Sequence, residues 1–408
     1  MTTIDGDRLL DALHALRGFG AVGTGVVRPT FSVPDMAARA WLRDRMEAAG
    51  LDATIDGVGN VYGRSRHPGP ALVLGSHSDT QPEGGWLDGA MGVIDAIEVA
   101  HTLGADPSTA DLAVDVAAWA DEEGTYASCL GARAFVGEAD GLMVERAVDG
   151  ESVAEAIGRV GLAGRPHARF EPGRHIGYLE AHIEQGPHLE AAGHRIGVVT
   201  SIVGIRGVTV TFDGEQNHAG TTPMDRRADA AVAMFRFGAV LQDRLAAVAG
   251  PRSVWTIGRV TVEPGAPSIV PGFAEVAVQF RDPSDEVLVR MLDAVLSTAK
   301  EIDRGGPVRV AAHSGEQIAP TVMDAGLRSH LADAAERHAP RAWVELPSAA
   351  GHDAMVLAHH LPCAMLFIPS IGGVSHDFAE DSHADDIVLG CQVLADATIT
   401  ILRTHAGS

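Results

Sequence analysis

The chain has 408 residues, of which 46% are hydrophobic and 47 are glycine, so it is long enough for two domains with sizeable cores. Its 31 basic and 54 acidic residues give a formal net charge of −23, which argues against nucleic acid or an anionic membrane surface as a partner. The sequence shows no signal-peptide pattern and no run of 18 apolar residues, so we expect a cytoplasmic protein without membrane spans. Three cysteines, Cys129, Cys363 and Cys391, are too few for a disulfide framework and are expected to be reduced.

The first part of the chain alternates predicted helices and buried strands, which is typical of an α/β domain. Helices are predicted at residues 5–17, 35–49 and 89–103, and buried strands at 71–74 and 112–119. We assign residues 1–206 to the first part of this domain.

A second, smaller domain is predicted to interrupt the first at residues 207–322. Residues 207–212 alternate apolar and polar side chains, which is typical of a half-exposed strand. The elements predicted after it are a helix at 225–248, strands at 253–262 and 274–281, a helix at 284–303 and a strand at 308–314. This β-α-β-β-α-β order predicts a ferredoxin-like α+β domain, after which residues 323–408 return to the first domain.

Imidazole and carboxylate side chains directly follow the two buried strands. His77, Asp79 and Asp88 lie in the segment GSHSDTQPEGGWLDG, and Glu122 and Glu123 lie in WADEEG. The carboxyl ends of strands in such a sheet meet at one edge, so we expect the two clusters to form one metal site. These donors suit Zn, Mn, Ni or Co. An Asp-Glu-Glu run is usually a solvated loop, but here an apolar strand precedes it and glycine follows it.

Three motifs downstream add histidines. His182 lies in LEAHIEQGPHLE, His218 lies in DGEQNHAGTTPMDRRADA before a predicted helix, and His376 lies in GGVSHDFAED after an apolar run. Most of the nineteen histidines have no clustered partner, so we interpret them as structural or incidental. These unclustered histidines include His14, His67, His101, His167 and His194.

Taken in order, the segments GSHSDTQPEGG, EEG, HIEQGPHLE, NHAGTTPM, PSAAGHDA and PSIGGVSH resemble the N-carbamoyl-L-amino-acid hydrolases. That group includes β-ureidopropionases and allantoate amidohydrolases, and it is a branch of the dinuclear aminoacylase/carboxypeptidase metallohydrolases. The resemblance runs from about residue 30 to the C-terminus. It implies a zinc-peptidase-like catalytic domain with a mixed sheet and flanking helices, an inserted lid and dimerisation domain, and two divalent metal ions per subunit.

The resemblance also implies a role for each residue of the metal site. Asp88 would bridge the two ions, with His77 and His182 on one ion and Glu123 and His376 on the other. A bridging carboxylate suits such a pair because it partly offsets the repulsion between the cations.

Two further carboxylates complete the implied catalytic set. Glu122 would be the general base, because only one member of the tandem pair is needed as a ligand. Asp79 would accept the ring N–H of His77 and fix its tautomer. Two alternatives stay open from the residues alone: Asp79 as the cap of a strand end, and His182 as an ordinary core histidine.

Other matched positions are implied in substrate recognition. Arg281 would bind the substrate carboxylate with its planar guanidinium, the alternative being a surface salt bridge to Asp282 or Asp285. His218 would stabilise the oxyanion from across a dimer interface. The remaining substrate-contacting positions are Gln185, Ser268, Gly351 and His352.

The chain departs from the family pattern in three places. Ser268 stands before the IVPG turn where the family carries asparagine, and the loop after EEG is shorter and lacks an Arg-Phe pair. Trp86 and Tyr126 are expected to add aromatic bulk near the site. The substrate expected is a small anionic ureido acid, first an N-carbamoyl-L-amino acid, with allantoate or another small amide or aryl-amine as the alternative.

Two other classes of function and one assembly were considered. HIEQGP and NHAGTTPM count against a peptidase or N-acyl deacylase, and a non-catalytic binding protein would have no use for Glu122 beside a full ligand set. A homodimer through the inserted domain is expected, because the strand at 207–212 and the helix at 230–241 offer more apolar surface than a lone lid needs.

Overall fold

The computed structural model describes residues 2–406, without the side chain of Glu316. The chain forms two compact units. The second unit starts ahead of the predicted residue 207, because its first strand already pairs with the rest of its sheet from Gly204 onward. The first unit comprises the described residues up to Thr200, Val322–Leu346 and the chain from Ala350, and the second comprises Ser201–Thr321 and Pro347–Ala349.

The strands fall into two larger sheets and two short ribbons. In chain order they are β1 (Ala21–Val22), β2 (Gly25–Val26), β3 (Asp52–Ile55), β4 (Val61–Arg64), β5 (Ala71–His77), β6 (Ala113–Trp119), β7 (His175–Ile183), β8 (Ile196–Ile202), β9 (Gly204–Asp213), β10 (Asn217–His218), β11 (Val254–Glu263), β12 (Ile269–Val270), β13 (Phe273–Asp282), β14 (Arg309–Ile318), β15 (Thr321–Val322), β16 (Trp343–Ser348) and β17 (Cys363–Ile368).

The α-helices flank these sheets. In chain order they are α1 (Gly6–Arg17), α2 (Val33–Ala48), α3 (Ala90–Ala105), α4 (Leu130–Phe135), α5 (Val153–Arg159), α6 (His188–Ala192), α7 (Ala230–Val248), α8 (Asp285–Gly305), α9 (Ala325–His338), α10 (Asp353–Leu357) and α11 (Ala384–Ala406).

A mixed sheet in the order β15-β8-β17-β7-β5-β6-β4-β3, with β16 paired to β8, forms the centre of the first unit. β6, β5, β7 and β17 are parallel neighbours and are almost wholly buried. Their residues are mainly apolar or β-branched, as strands covered on both faces require. Because these strands are parallel, their carboxyl ends lie at one edge, where functional groups collect in such sheets. The predicted α/β fold with a mixed sheet and flanking helices is confirmed.

Local signals explain where several helices begin. The side chains of Asp5 and Ser32 accept hydrogen bonds from the first turns of α1 and α2, as capping residues do.

Within residues 2–406, α11 is the helix that is long and apolar enough to cross a membrane, but 67% of its most apolar window is buried inside the protein. Burial of this kind is typical of a core helix.

The second unit follows the predicted element order, with one correction at the start of its first helix. Its antiparallel sheet has the order β11-β13-β9-β14, and α7 and α8 cover the face that carries Val208, Val276 and Phe280. The strand predicted as half-exposed is β9, whose buried residues alternate with partly exposed ones, so this prediction is confirmed. β9 lies inside the sheet, and among the described residues β11 and β14 form its edges. The helix predicted from residue 225 begins at Ala230, because Asp229 caps it and a short 3-10 turn precedes it.

A buried polar network in the first unit gives a test of stability. Asp115 accepts hydrogen bonds from Arg174 at 2.8 Å and from Tyr62 at 2.9 Å, and its carboxylate is 3.3 Å from Nε2 of His175. Burial alone would raise the pKa of Asp115, but His175 and Arg174 outweigh it and lower that pKa to about 2.

We expect Asp115→Asn to lower the free energy of unfolding by about 3 kcal/mol at neutral pH, because Arg174 would be left buried without its counter-charge. The folded-state pKa is depressed, so the stabilisation is present above pH 4 and is lost as the pH falls toward 2. Urea unfolding of both proteins at pH 7 and at pH 3 measures this. A difference in stability that stays constant between the two pH values would contradict it.

Candidate metal centre

Asp88 lies at the centre of the candidate site and faces histidines with both of its oxygens. Its Oδ1 is 3.5 Å from Nε2 of His77 and 3.1 Å from Nε2 of His182. Its Oδ2 is 3.1 Å from Nε2 of His376. The donor atoms of His77, Asp88 and His182 lie within 4.8 Å of one another, and so do those of Asp88, Glu123 and His376. The structure therefore brings the five predicted ligands into two groups that share one carboxylate.

Backbone carbonyls fix the tautomers of two of these histidines. Nδ1 of His77 is 3.1 Å from the carbonyl oxygen of Asp79, and Nδ1 of His182 is 2.9 Å from that of Ile183. A carbonyl oxygen only accepts, so Nδ1 carries a proton in both rings, and Nε2, which faces Asp88, is the nitrogen left to bind a metal ion.

The contact of Asp79 corrects one detail of the sequence-based prediction. Its carboxylate is 3.8 Å from Nδ1 of His77, too far for a hydrogen bond, and the backbone carbonyl of Asp79 takes that ring N–H instead. The carboxylate turns toward Glu123, whose backbone N–H it accepts at 3.3 Å. Asp79 thus positions both the imidazole of His77 and the loop that carries the tandem glutamates.

The two adjacent glutamates point to different neighbours. Oε1 of Glu123 is 3.8 Å from Nε2 of His376, and Gln81 donates to the Glu123 carboxylate from its backbone at 3.2 Å and from its side chain at 2.7 Å. Oε2 of Glu122 is 3.7 Å from Nε2 of His77. Glu123 belongs to a donor group, whereas Glu122 lies beside the site and outside both predicted groups.

Burial shapes the charge of the site. It raises the pKa of Glu123 to about 7, with the charge of Asp88 adding to the effect. It raises the pKa of Glu122 well above its usual range, against the opposing charge of His77. Burial acts on Asp88 in the same direction, but hydrogen bonds from the histidines outweigh it and hold the pKa of Asp88 well below its usual range. The ionised forms of the two glutamates are therefore disfavoured without a counter-charge, and a bound cation would stabilise them.

The backbone of the site is specialised where ligands must approach closely. Gly89 has φ of +61°, and a Cβ there would lie 2.4 Å from the ring of His77. Asp121, Gln185 and His376 are left-handed without being glycine, with φ of 58°, 57° and 53°. A positive φ is uncommon for residues other than glycine, and such strained conformations cluster at functional sites.

Gln185 and His352, predicted to contact the substrate, have protein neighbours at the metal centre. The side-chain amide of Gln185 donates to Oδ2 of Asp88 at 3.0 Å and is 3.3 Å from Nε2 of His376. His352 is 1% exposed, and its ring packs edge-on against the ring of His182 at 4.6 Å. His352 thus packs against a predicted ligand, and its contact with the substrate stays a prediction, as does that of the half-buried Gly351 before it.

His218 and Ser268 come together in the second unit through the β10-β12 ribbon. His218 pairs with Ile269, and the carbonyl oxygen of Ser268 accepts the N–H of Ala219. Nδ1 of His218 accepts backbone N–H groups at 3.0 and 3.2 Å, so its proton is on Nε2. The exposed imidazole can therefore donate a hydrogen bond from Nε2.

Arg281 lies on β13, and its alternative interpretation as a surface salt bridge is not realised. Asp285 pairs with Arg206, and Asp282 accepts from Ser284. The guanidinium instead contacts the side chain of a neighbouring glutamine on its own strand.

The two aromatic residues expected near the site, Trp86 and Tyr126, have ring partners within the first unit. Trp86 is 6% exposed and stacks on His14 at 5.1 Å. Tyr126 donates its hydroxyl to Glu151 and packs against Phe31. Both rings pack against other parts of the first unit, and the prediction that they add aromatic bulk near the site stays a prediction.

Comparison with known proteins decides the family. The model for peptidase family M20/M25/M40 matches residues 73–400. The chain belongs to peptidase family M20/M25/M40. An N-carbamoyl-L-amino acid amidohydrolase of Geobacillus stearothermophilus is 33% identical over 96% of this chain and 97% of its own length. An allantoate amidohydrolase of Escherichia coli K12 is also 33% identical, over 94% of this chain and 95% of its own length.

Solved structures agree with this membership. The crystal structure of an amidase (hydantoinase/carbamoylase family) from Burkholderia phymatum is 49% identical, covers 99% of both chains and has a TM-score of 0.93. The resemblance inferred from the motifs is confirmed.

The residues of this M20 member fit divalent cations. Imidazole nitrogens held in the correct tautomer and buried carboxylates form each donor group, which suits borderline ions such as Zn, Mn, Ni or Co. A further group, Glu180, His182 and His352, shares His182. Glu180 already accepts the hydroxyl of Ser76 at 2.7 Å, so it braces the strand behind the site.

Glu380 is a buried carboxylate beside the site that the sequence motifs did not identify. Its Oε1 accepts the backbone N–H groups of Leu87 at 3.1 Å and Asp88 at 3.0 Å, and its Oε2 accepts the hydroxyl of Ser375 at 2.7 Å. It is 2% exposed, and a Cβ on Gly85 would overlap its carboxylate. Glu380 joins the loop of Asp88 to the loop of His376. Its position four residues after His376 was the available signal.

We expect Glu380→Ala to weaken metal binding by about 10- to 100-fold, as loss of groups that support ligands typically does. Chelator competition on the purified protein measures the affinity. Glu83→Ala is the matched control, because Glu83 is exposed in the same loop. Unchanged affinity in Glu380→Ala would show that the loops hold their positions without this carboxylate.

Proposed function

We propose that the protein is a metal-dependent hydrolase that cleaves the ureido C–N bond of a small acid. The leading candidate substrate is an N-carbamoyl-L-amino acid. The sharing of Asp88 between two donor groups, with Glu122 beside them and outside both, carries the proposal. A binding protein would need the ligands and would have no use for a buried carboxylate that is not one of them.

We infer two divalent ions per subunit, one held by His77, Asp88 and His182 and the other by Asp88, Glu123 and His376. Cations so placed would polarise the scissile carbonyl and acidify water. Glu122 takes a proton from the attacking water and returns it to the leaving nitrogen. The balanced reaction is R–NH–CO–NH2 + H2O → R–NH2 + CO2 + NH3.

Recognition of the substrate is assigned to the second unit, which we interpret as an inserted ferredoxin-like lid. Because the net charge is −23, the protein as a whole repels anions and a local cation must orient an acidic substrate. Arg281 supplies that charge, and His218 supplies an N–H for the carbonyl oxygen. Ser268 offers a shorter donor than asparagine.

Allantoate is the second candidate substrate, because the chain is equally similar to an allantoate amidohydrolase. An ammonia-release screen of the metal-loaded enzyme across ureido acids, allantoate, N-acyl amino acids and dipeptides tests the proposal. Turnover of a ureido acid or allantoate supports it and selects between the two. Turnover of N-acyl amino acids or dipeptides alone would replace it with a deacylase or dipeptidase.

Because all three cysteines are buried and free, we also propose a reducing, cytoplasmic compartment.

We further propose a homodimer through the second unit. The free edge β11 exposes Val254 and Val260 at 54% and 53%, and α7 exposes Val232 and Phe235 at 44% and 69%. Unpaired edge strands and exposed apolar side chains favour association. A dimer would also allow His218 of one subunit to serve the other.

Phe235→Glu should convert the dimer to a monomer at micromolar concentration, because it places a charge in the apolar contact. Val289→Glu is the control, since Val289 is 46% exposed on α8, which packs against the opposite edge strand β14. Sedimentation velocity measures both. A wild-type protein that is monomeric and fully active would end the proposal and any role for His218 in a second subunit.

A further inference from the structure

Gln279 holds the guanidinium of Arg281 along one edge. The two residues are two positions apart on β13, so both side chains lie on the face of the sheet opposite the helices. Oε1 of Gln279 accepts from Nε of Arg281 at 3.3 Å and from Nη2 at 3.2 Å. Nη1 makes one longer contact, 3.4 Å, to the carbonyl oxygen of Ala349. One edge of the guanidinium is thus occupied, and the Nη1 side has a single weak partner.

The acceptors around this guanidinium are neutral. The carboxylate of Asp282 points to the other face, where it is 2% exposed and binds Ser284. Glu275, on the same face of β13, pairs with Arg259. The side chain of Glu316 is not among those that the structure describes. Among the described side chains, no carboxylate forms an ion pair with Arg281. Its positive charge is therefore oriented by an amide without being neutralised.

We propose that Gln279 is a positioning residue that makes the second unit selective for a carboxylate-bearing substrate. The amide oxygen fixes the plane of the guanidinium and leaves its charge and the Nη1 edge for the substrate. A carboxylate at the same position would form a charge-assisted pair with Arg281 and compete with the substrate for it. The proposal rests on the proposed function, in which Arg281 binds an anionic substrate.

Gln279→Glu tests the proposal, because it changes one amide to a carboxylate of the same shape. We expect kcat/KM for the ureido acid to fall about tenfold or more, chiefly through a higher KM, while kcat/KM for the methyl ester of that acid falls much less. In an Arg281→Ala background the added carboxylate should have little further effect. Gln242→Glu is the matched control, because Gln242 accepts the indole N–H of Trp255 and makes the same exchange in α7.

Equal losses for the acid and the ester in Gln279→Glu would overturn the proposal, since they would indicate a structural defect. Gln279→Met removes the acceptor and adds no charge. It should lower kcat/KM for the acid several-fold and leave the acid still preferred over the ester. A Gln279→Met variant with wild-type kcat/KM would show that no positioning occurs.

A second measurement needs no substrate. Phenylglyoxal modifies arginine side chains, and ion pairing protects them, so the modification rate of Arg281 reports on its partner. Peptide mass spectrometry should show slower modification of Arg281 in Gln279→Glu, relative to the exposed Arg309 on β14. Equal rates in the two proteins would contradict the pairing. If the wild-type enzyme cleaves no ureido acid, the proposed function fails, and this measurement still decides whether Gln279 holds Arg281.

Discussion

Replacing Glu122 by glutamine should reduce turnover by about 10²- to 10⁴-fold while the metal content stays at the wild-type level. The Glu122 side chain is 11% exposed, its Oε2 is 3.7 Å from Nε2 of His77, and it lies outside both ligand groups. Glutamine keeps the shape of this side chain but cannot take up the proton that a general base must accept. Steady-state kinetics and elemental analysis of the same preparation measure the two quantities.

The adjacent glutamate provides the matched control. Glu123→Gln should lose metal, because Glu123 shares a donor group with Asp88 and His376. Its carboxylate is also fixed by two hydrogen bonds from Gln81, so the ligand oxygens are held in position. If Glu122→Gln loses the metal and Glu123→Gln keeps it, the two roles are reversed.

The metal groups could be predicted because each ligand signal is local. His77 ends the apolar strand β5, and the two glutamates follow β6 within four residues. Parallel pairing of β5 with β6 and with β7 then brings these ends and His182 together. The order of the buried strands therefore determines the geometry of the site, and the sequence motifs mark only where these strands end.

What could not be predicted depends on contacts between distant residues or on small rotations. Glu380 acts on backbone N–H groups almost three hundred residues earlier, and no spacing rule connects them. Asp79 and His352 were correctly placed near the site, but the hydrogen bond predicted between the carboxylate of Asp79 and His77 was wrong. A carbonyl oxygen competes with the carboxylate of Asp79 for His77, and packing against Phe367 buries His352.

Arg281→Ala should lower kcat/KM for an acidic substrate by about a hundredfold, as loss of a charge-assisted, bidentate contact typically does. Arg281→Lys keeps the charge but loses the planar fork, so it should recover only part of that loss. The measurement compares a ureido acid with its methyl ester for all three proteins. Because the chain carries a net charge of −23, no general attraction can replace a fixed cation in recruiting the acid.

The ester separates recognition of charge from damage to the fold. Methylation of the carboxylate should cost the wild-type enzyme far more than it costs Arg281→Ala, since the variant no longer has a partner for that charge. If the wild-type enzyme cleaves acid and ester equally well, Arg281 does not bind a carboxylate. Ser268 would then indicate a substrate that lacks the carboxylate, such as another small amide, because its shorter hydroxyl replaces the asparagine that the carbamoyl-amino-acid enzymes carry. The ligand groups around Asp88 would be unaffected by that result, because the charge of the substrate plays no part in their assembly.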